Sequence, residues 1–340
     1  MAVGDILIGI AFVGCAHIHT PQFVQMTNLR PEFQVQAVWD PVAERASKRA
    51  EELKSTATTD LVSIWANPSI KAVVIGSETK QHEELVLAAA QSGKHLFVEK
   101  PLGMGARDAY AMAEAIDNAG VIFQTGYFQR GTATHLFLRE QVQKGAFGKI
   151  TRIRHTNWHE GAIAGWFDSE WRWMAEPEKS GVGAFGDLGT HSLDILIWML
   201  GDVESCTASV STGTGRFGKT DETGEGMLRF TTGTIGTVAA SWDDIENPVS
   251  MEICGTEGHA VIINDRLTFT SKHVPGADGR KVWKDFPKPL PHAFELFLDA
   301  VAGKKDVPLV TAREAAYRCA VMEAMYKGAK ENTWIKPAAK

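Results

Sequence analysis

The sequence has few cysteines and no excess of positive charge. Its 340 residues include four cysteines, Cys15, Cys206, Cys254 and Cys319, which are scattered without the spacing of metal ligands. This excludes a disulfide-rich scaffold and indicates reduced thiols in the cytoplasm. The net charge of −6 argues against a nucleic-acid surface, because such a surface needs a basic face. Small-molecule chemistry is therefore the favoured class of function.

The sequence also has no long apolar run, internal repeat or low-complexity segment. No stretch approaches the roughly 18 apolar residues that a membrane-spanning helix needs, so no membrane partner is expected. The apolar opening at 6–16 follows Asp5 and leads into His17 and His19. A signal peptide would have a basic residue before this run and small residues after it. We therefore expect a buried strand here.

Strand and helix patterns alternate over the first 125 residues. Apolar, branched runs predict strands at 6–13, 33–39, 72–75, 95–98 and 121–125, and the segments between them predict helices from residue 20 and at 44–53, 81–91 and 108–118. Such alternation is typical of a parallel sheet with right-handed crossovers. Residues 1–125 are therefore predicted to form a doubly wound α/β domain that binds a dinucleotide.

The pattern changes after residue 125. Segments at 150–158 and between 204 and 263 alternate or are rich in Thr and Val, which predicts a largely antiparallel open sheet. A helix at 189–200 is expected to cover one face of this sheet. Helices at 291–302 and 312–330 are expected to pack back on the first domain. Residues 126–340 are thus predicted to be an α+β domain for substrate binding and oligomerisation.

The turn after the first strand is a degraded dinucleotide fingerprint. Gly14-x-Ala16-x-x-His19 keeps only the first glycine of Gly-x-Gly-x-x-Gly. Thr20-Pro21 predicts a helix start, whose N-terminus would face a pyrophosphate. The alternative is an ordinary strand-to-helix turn. The predicted cofactor contacts in this turn are Gly14, Cys15, Ala16, His17 and Ile18.

Asp40 stands at the end of the second predicted strand. A carboxylate at this place accepts hydrogen bonds from ribose hydroxyls and repels a 2′-phosphate, which favours NAD. The alternative is a solvated turn before Pro41. Arg45 could accommodate that phosphate, so NADP is the second cofactor considered.

Two clusters of polar residues are the candidate catalytic elements. Glu99-Lys100-Pro101 follows the strand at 95–98, where a doubly wound sheet faces its ligand crevice. Asp187, His191 and Asp194 have the i, i+4, i+7 spacing of one helix face. A lysine, an aspartate and a histidine can therefore converge, although a lone tripeptide is more often a surface turn and a lone histidine more often a core residue.

Aromatic residues are concentrated just before the second cluster. Trp158, Trp166, Phe167, Trp171 and Trp173 could form either a packed domain surface or the wall of a sugar pocket. In the second interpretation His159 and Arg172 would fix hydroxyls or a carboxylate of the substrate.

Taken together, these motifs resemble the glucose-fructose oxidoreductase and inositol dehydrogenase (Gfo/Idh/MocA) family. The resemblance covers nearly the whole chain: the turn at 14–19, Asp40, 76–82, 99–101, 126–130, 171–172 and Gly-Asp-x-Gly-x-His-x-x-Asp at 186–194. It implies an N-terminal Rossmann domain, a C-terminal α+β domain whose open sheet often mediates homo-oligomers, and NAD(P)-dependent chemistry on sugars and cyclitols. Ser77-Glu78 departs from the Thr-Pro usual in the family.

The resemblance also implies roles for individual residues. The catalytic set would be Lys100, Asp187 and His191. Further cofactor contacts would be Asp40, Arg45, Ser77, Glu78, Thr79, His82, Glu99, Lys100, Gln129, Trp171 and Arg172. Substrate contacts would be Lys100, Tyr127, Arg130, Trp158, His159, Trp166, Arg172, Asp187 and His191. No metal is expected.

Three functions remain open at this point. The leading one is hydride transfer between nicotinamide and a secondary alcohol of a sugar, glycoside or cyclitol. The second is glycoside cleavage through transient oxidation and elimination with retained NAD. The third is a nucleotide-responsive binding protein without catalysis.

Overall fold

The computed structural model describes residues 7–339, so Ile6, the predicted start of the first strand, lies outside it. The first sheet has six parallel strands in the order β3-β2-β1-β4-β5-β6. In chain order its elements are β1 (Ile8–Cys15), α1 (Thr20–Asn28), β2 (Phe33–Trp39), α2 (Ala43–Glu52), β3 (Ala57–Thr58), α3 (Leu61–Ala66), β4 (Ile70–Gly76), α4 (His82–Gln91), β5 (His95–Val98), α5 (Ala106–Ala119) and β6 (Phe123–Thr125).

This sheet is doubly wound, as predicted. Apolar side chains from β1, β4 and β5 alternate between two buried clusters, one under α1 and α2 and the other under α3, α4 and α5. The strands are apolar on both faces because helices cover both of them. The order reverses between β1 and β4, which places their carboxyl ends on either side of a ligand crevice.

The second sheet has eight strands in the order β14-β13-β12-β11-β7-β10-β9-β8, and only the β7–β10 pair is parallel. Its elements are α6 (Ala133–Gln143), β7 (Ile150–Trp158), α7 (Pro177–Ser180), α8 (Ala184–Leu200), β8 (Val203–Ser211), β9 (Thr223–Phe230), β10 (Ile235–Ser241), β11 (Val249–Gly255), β12 (Gly258–Ile263), β13 (Arg266–Ser271) and β14 (Asp278–Val282). Helix α8 covers one face and the other is open.

Helix α8 begins at Ala184, five residues before its predicted start. Gly186 precedes the predicted helix at 189–200 but lies inside the observed one. A side chain at 186 would meet Val182 at 2.3 Å, so close packing accounts for that glycine. The earlier start puts Asp187 in the first turn, where a carboxylate is favoured by the helix dipole.

Two C-terminal helices, α9 (Ala293–Val301) and α10 (Ala312–Glu331), pack on the first domain. Phe294 of α9 stacks on Phe23 at 4.7 Å and lies edge-on to Phe97 at 5.0 Å. Burying such a ring stabilises the fold by about 2–3 kcal/mol. Over residues 7–339, no helix combines the length and the apolar character that crossing a membrane would require.

Candidate active site

Lys100 and Asp187 form a buried ion pair where the two domains meet. Lys100 Nζ lies 2.7 Å from Asp187 Oδ1, and the indole N–H of Trp242 donates to Asp187 Oδ2 at 3.1 Å. Burial raises the pKa of Asp187, but the charge and hydrogen bond of Lys100 outweigh it and leave that pKa well below its ordinary value. The carboxylate therefore stays ionised beside the lysine.

The fold explains why the lysine is placed here. Leu96, Phe97 and Val98 of β5 are fully buried, which fixes the strand and delivers the following residues to its carboxyl end. Pro101 follows through a cis peptide bond, and the chain leaves the sheet at this point. Lys100 thus projects into the crevice from a rigid element.

His191 lies one turn after Asp187 on α8. It is 3 % exposed, and its Nδ1 atom has no hydrogen-bond partner among residues 7–339. Burial and the positive charge of Lys100 hold the pKa of His191 well below its ordinary value. The side chain is therefore a neutral imidazole that can accept a proton.

These groups border a cavity of about 310 Å³ between the domains. His159 lies over Trp166 with ring centroids 4.6 Å apart, and Gly161 N donates to His159 Nδ1. Burial lowers the pKa of His159, which keeps this imidazole neutral as well. The predicted residues that the cavity brings together are Ile18, Lys100, Gln129, His159, Trp166, Asp187 and His191.

Glu99 lies beside this cavity and is fully buried. Its Oε1 atom is 2.9 Å from Nδ1 of His19 and 3.7 Å from Nδ1 of His17. Although burial raises it, the pKa of Glu99 is held well below its usual value by His17, His19 and Lys100. A second carboxylate is therefore ionised within the crevice.

The turn after β1 has the close packing that a dinucleotide site needs. Gly14 has a φ of +82°, and a Cβ atom there would lie 2.5 Å from Cβ of Ser77. His17 N donates to Gly76 O, and the indole N–H of Trp173 donates to Ala16 O at 3.0 Å. The turns after β1 and β4 therefore lie against each other, with the second domain closing over them.

Asp40 connects this turn to the end of β2. Its Oδ2 accepts from Cys15 N at 2.7 Å, and its Oδ1 accepts from Val42 N and from Arg45 Nε. The other side of the Arg45 guanidinium donates to Glu78 Oε1 at 2.9 Å. Arg45 is therefore neutralised by two carboxylates.

Several buried polar atoms in this region lack partners within the described part of the chain, and they include the acceptors Glu78 Oε2 and Gln129 Oε1 and the ring nitrogen His191 Nδ1. Buried polar groups are normally hydrogen-bonded, so unpaired acceptors in one crevice indicate a ligand with donors. Ribose hydroxyls and a carboxamide have such donors. With the positive φ of Gly14 and the carboxylate of Asp40, the residues present fit a nicotinamide dinucleotide.

Three predicted contacts line no part of this cavity: Trp158 for the substrate, Trp171 for the cofactor and Arg172 for both. Trp158 lies on the open face of the second sheet, away from α8, and its indole N–H donates to Glu246 O. Arg172 is exposed, with its guanidinium 4.8 Å from the Phe217 ring, and Trp171 packs against the second core. Neighbours outside the cavity hold all three side chains.

The side chain of Arg130 is held by other charged residues. Arg130 donates to Asp194 and Glu314, and Arg318 also donates to Asp194, so the Arg130 guanidinium lies in an ion cluster of these four residues and does not line the cavity. The Asp194 carboxylate therefore accepts from two arginines rather than from Lys100.

Two more predicted contacts have structural partners. The Tyr127 hydroxyl is 3.0 Å from Thr190 Oγ1, and both ring nitrogens of His82 face carbonyl oxygens, those of Leu102 and Ser77. These two side chains brace the loops around the site.

Sequence reasoning missed several residues of the site. Trp242 binds Asp187 from 55 positions away, and no local motif marks it. Phe128 lies 5.2 Å from the His191 ring and stacks on His292. His19 was visible only as the residue that degrades the glycine fingerprint.

Known proteins resemble the chain over most of its length. Residues 8–127 match an oxidoreductase family with an NAD-binding Rossmann fold, GFO/IDH/MocA, and residues 135–261 match the GFO/IDH/MocA C-terminal domain. Levoglucosan dehydrogenase of Pseudarthrobacter phenanthrenivorans is 29% identical over 289 residues, which are 76% of this chain and 73% of that protein. 1,5-Anhydro-D-fructose reductase of Ensifer adhaerens is 29% identical over 233 residues, or 67% and 68% of the two chains.

The fold comparison agrees. A levoglucosan dehydrogenase in complex with NADH superposes with a TM-score of 0.81 at 22% identity, over 98% of this chain and 100% of that one. The predicted fold class, a Rossmann domain followed by an α+β domain with a largely antiparallel sheet, is confirmed. The chain therefore belongs to the Gfo/Idh/MocA family of NAD-binding oxidoreductases, as its motifs predicted.

Proposed function

We propose that this chain transfers a hydride between nicotinamide and a secondary alcohol of a sugar, an anhydrosugar or a cyclitol. The observation that carries this proposal is a neutral histidine, His191, with an unpaired buried nitrogen beside the Lys100–Asp187 ion pair. Bound NAD supplies the hydride acceptor. The names of the relatives, a levoglucosan dehydrogenase and an anhydrofructose reductase, support the substrate class.

Each side chain has a role in this reaction. During oxidation, neutral His191 accepts the proton of the alcohol. Lys100 donates a hydrogen bond to the same oxygen and stabilises the charge that develops on it. Asp187 holds the lysine in place. His159 and Trp166 form the wall that contacts the sugar.

We infer that NAD is preferred over NADP. The carboxylate of Asp40 is fixed at the end of β2, where it would repel a 2′-phosphate. Arg45 cannot offset this repulsion while Asp40 and Glu78 bind its guanidinium.

A substrate panel with purified protein tests the proposal. Levoglucosan, 1,5-anhydro-D-fructose and myo-inositol would be supplied with NAD or NADP in the matching redox state, and nicotinamide absorbance followed. We expect turnover of at least one, and a loss of about two to four orders of magnitude in Lys100→Met and His191→Asn. Lys144→Met, which removes an exposed lysine paired with Glu140, is the control and should keep its rate. Wild-type rates in either site variant would refute the assignment.

We further propose that the open face of the second sheet binds a second copy of this chain. Met227, Ile235 and Ile263 share this face and are 43 to 45 % exposed, whereas α8 covers the opposite face. Sedimentation analysis should find an oligomer that Ile235→Glu weakens. Leu29→Glu, which changes an exposed residue of the first domain, should not weaken it. A wild-type monomer would refute this interface.

Two further proposals concern location and domain limits. Four free cysteines, three of them buried, support a reducing compartment, which we propose is the cytoplasm. We place the domain boundary after residue 125, because β6 ends there and the chain next enters the second domain. Limited proteolysis followed by mass spectrometry would locate that boundary.

A further inference from the structure

An imidazole–carboxylate pair, His19 and Glu99, borders the cavity that Lys100 and His191 line. His19 Nδ1 is 2.9 Å from Glu99 Oε1, and Glu99 is fully buried. The side chain of His19 is 29% exposed and lines the cavity. Glu99 precedes Lys100 in the chain and accepts from Lys100 N at 2.8 Å, but the proposed hydride transfer does not use the His19–Glu99 pair.

The geometry fixes the tautomer of His19. An ionised carboxylate can only accept a hydrogen bond, so Nδ1 of His19 carries the proton and donates it. The lone pair is then on Nε2, which makes no hydrogen bond to the described residues 7–339. His19 is therefore arranged as a base whose reactive nitrogen is free.

Hydride transfer at a carbinol carbon releases one proton, and His191 accepts it. A second base has no part in that step. Once a ketone has formed, however, the C–H bonds on the neighbouring carbon atoms become acidic. A second base in the same cavity can remove one of these protons.

We propose that His19, held by Glu99, moves a proton to and from the carbon next to the reacting carbon, so that the site also enolises its ketone product. The substrate class rests on the proposed function. In this step the lone pair of Nε2 takes the C–H proton, and the C–H electron pair forms the C=C bond of the enolate. The carbonyl π pair moves to oxygen, which accepts a hydrogen bond from Lys100.

The reverse step returns a proton from Nε2 to carbon. Because His19 is partly exposed, that proton can first exchange with water. No oxidant or reductant is consumed. The observable consequence is solvent hydrogen at the carbon atoms that flank the ketone.

The test supplies 1,5-anhydro-D-fructose and NAD⁺ to the protein in D₂O. Without NADH the ketone is not reduced, and NMR measures deuterium at the carbon atoms that flank it. A parallel assay with saturating NADH measures reduction of the same ketone. NAD⁺ is also supplied at a saturating concentration, so the readout, which is the ratio of the two rates, does not change with a loss of folding or of cofactor affinity.

We expect exchange by the wild type and a fall of about 100-fold or more in this ratio for His19→Gln. Glu99→Gln should also lower the ratio, because the amide no longer fixes the tautomer. The control is His273→Gln, which breaks an exposed His–Glu pair with Glu257 on the far side of the second domain. It should leave the ratio unchanged.

The absence of exchange in the wild type would overturn the proposal. So would an unchanged ratio in His19→Gln, since His19 would then only pack or contact the cofactor. Exchange that His19→Gln abolishes, in a protein that shows no NADH-dependent reduction, would instead count against the proposed hydride transfer while supporting proton transfer by His19.

Discussion

Substitution of Lys100 and Asp187 tests how much their buried ion pair contributes to the free energy of unfolding. Asp187→Asn keeps the shape of the side chain but removes the carboxylate 2.7 Å from Lys100 Nζ. Both groups are buried, and breaking a buried pair by removing one partner costs about 3–5 kcal/mol. Lys100→Met should cost a similar amount, because it leaves Asp187 charged with only the Trp242 indole as a donor.

The double variant measures the interaction energy between the two charges, apart from their contacts with other residues. If the two charges stabilise each other, Lys100→Met/Asp187→Asn should be more stable than the sum of the single variants predicts, by about 1–3 kcal/mol. Urea unfolding followed by tryptophan fluorescence measures each free energy of unfolding. The exposed pair of Lys144 and Glu140 is the matched control, with an expected coupling below about 1 kcal/mol. Additive losses at Lys100 and Asp187 would refute the reasoning.

Three further predictions follow from the same structure. Because the pKa of His191 is lowered, kcat/KM for alcohol oxidation should be flat around pH 6.5 and fall only at lower pH. His191→Asn should remove that fall together with most of the activity. A midpoint at or above pH 6.5 in the wild-type profile would contradict this prediction. Asp40→Ser should raise kcat/KM with NADP relative to NAD by about tenfold or more, measured as the ratio of initial rates, since the 2′-phosphate is no longer repelled. Burial lowers the pKa of His17 from 6.5 to about 3, so below pH 6.5 the unfolded chain binds a proton that the folded chain does not. Stability should therefore fall by about 1.4 kcal/mol per pH unit from this group as pH drops from 6.5 towards 3, and His17→Asn should show a shallower fall in urea titrations.

Much of the fold could be predicted because short-range patterns determine it. Strands β1, β2, β4 and β5 are apolar runs separated by helices, and this alternation leaves few topologies open. Lys100 could be found for the same reason, since its position follows from the end of β5. Its partner Asp187 was predicted from helical spacing and from the family resemblance.

The errors lie where long-range pairing decides the outcome. The sequence of β7 carries polar or aromatic residues on both faces, so nothing local indicated that Trp158 faces away from α8. Arg130 looked available for substrate because its partners lie far along the chain. Asp194 is 64 residues and Glu314 is 184 residues after it. The start of α8 was set too late, because glycines that allow close packing resemble loop residues.

The ion cluster around Asp194 has a consequence for how ligands enter. Arg130 comes from the segment that joins the domains, Asp194 from α8, and Arg318 from α10, and the side chains of Asp194 and Arg318 are each 2% exposed. A hinge motion that opened the crevice at this point would break the ion pairs between Asp194 and its two arginines, at a cost of about 3–5 kcal/mol for each broken pair. We therefore expect the two halves to keep one orientation throughout a turnover cycle. We expect substrate and product to enter and leave past the short loop at 159–168, which carries His159 and Trp166, while the orientation of the two domains stays fixed.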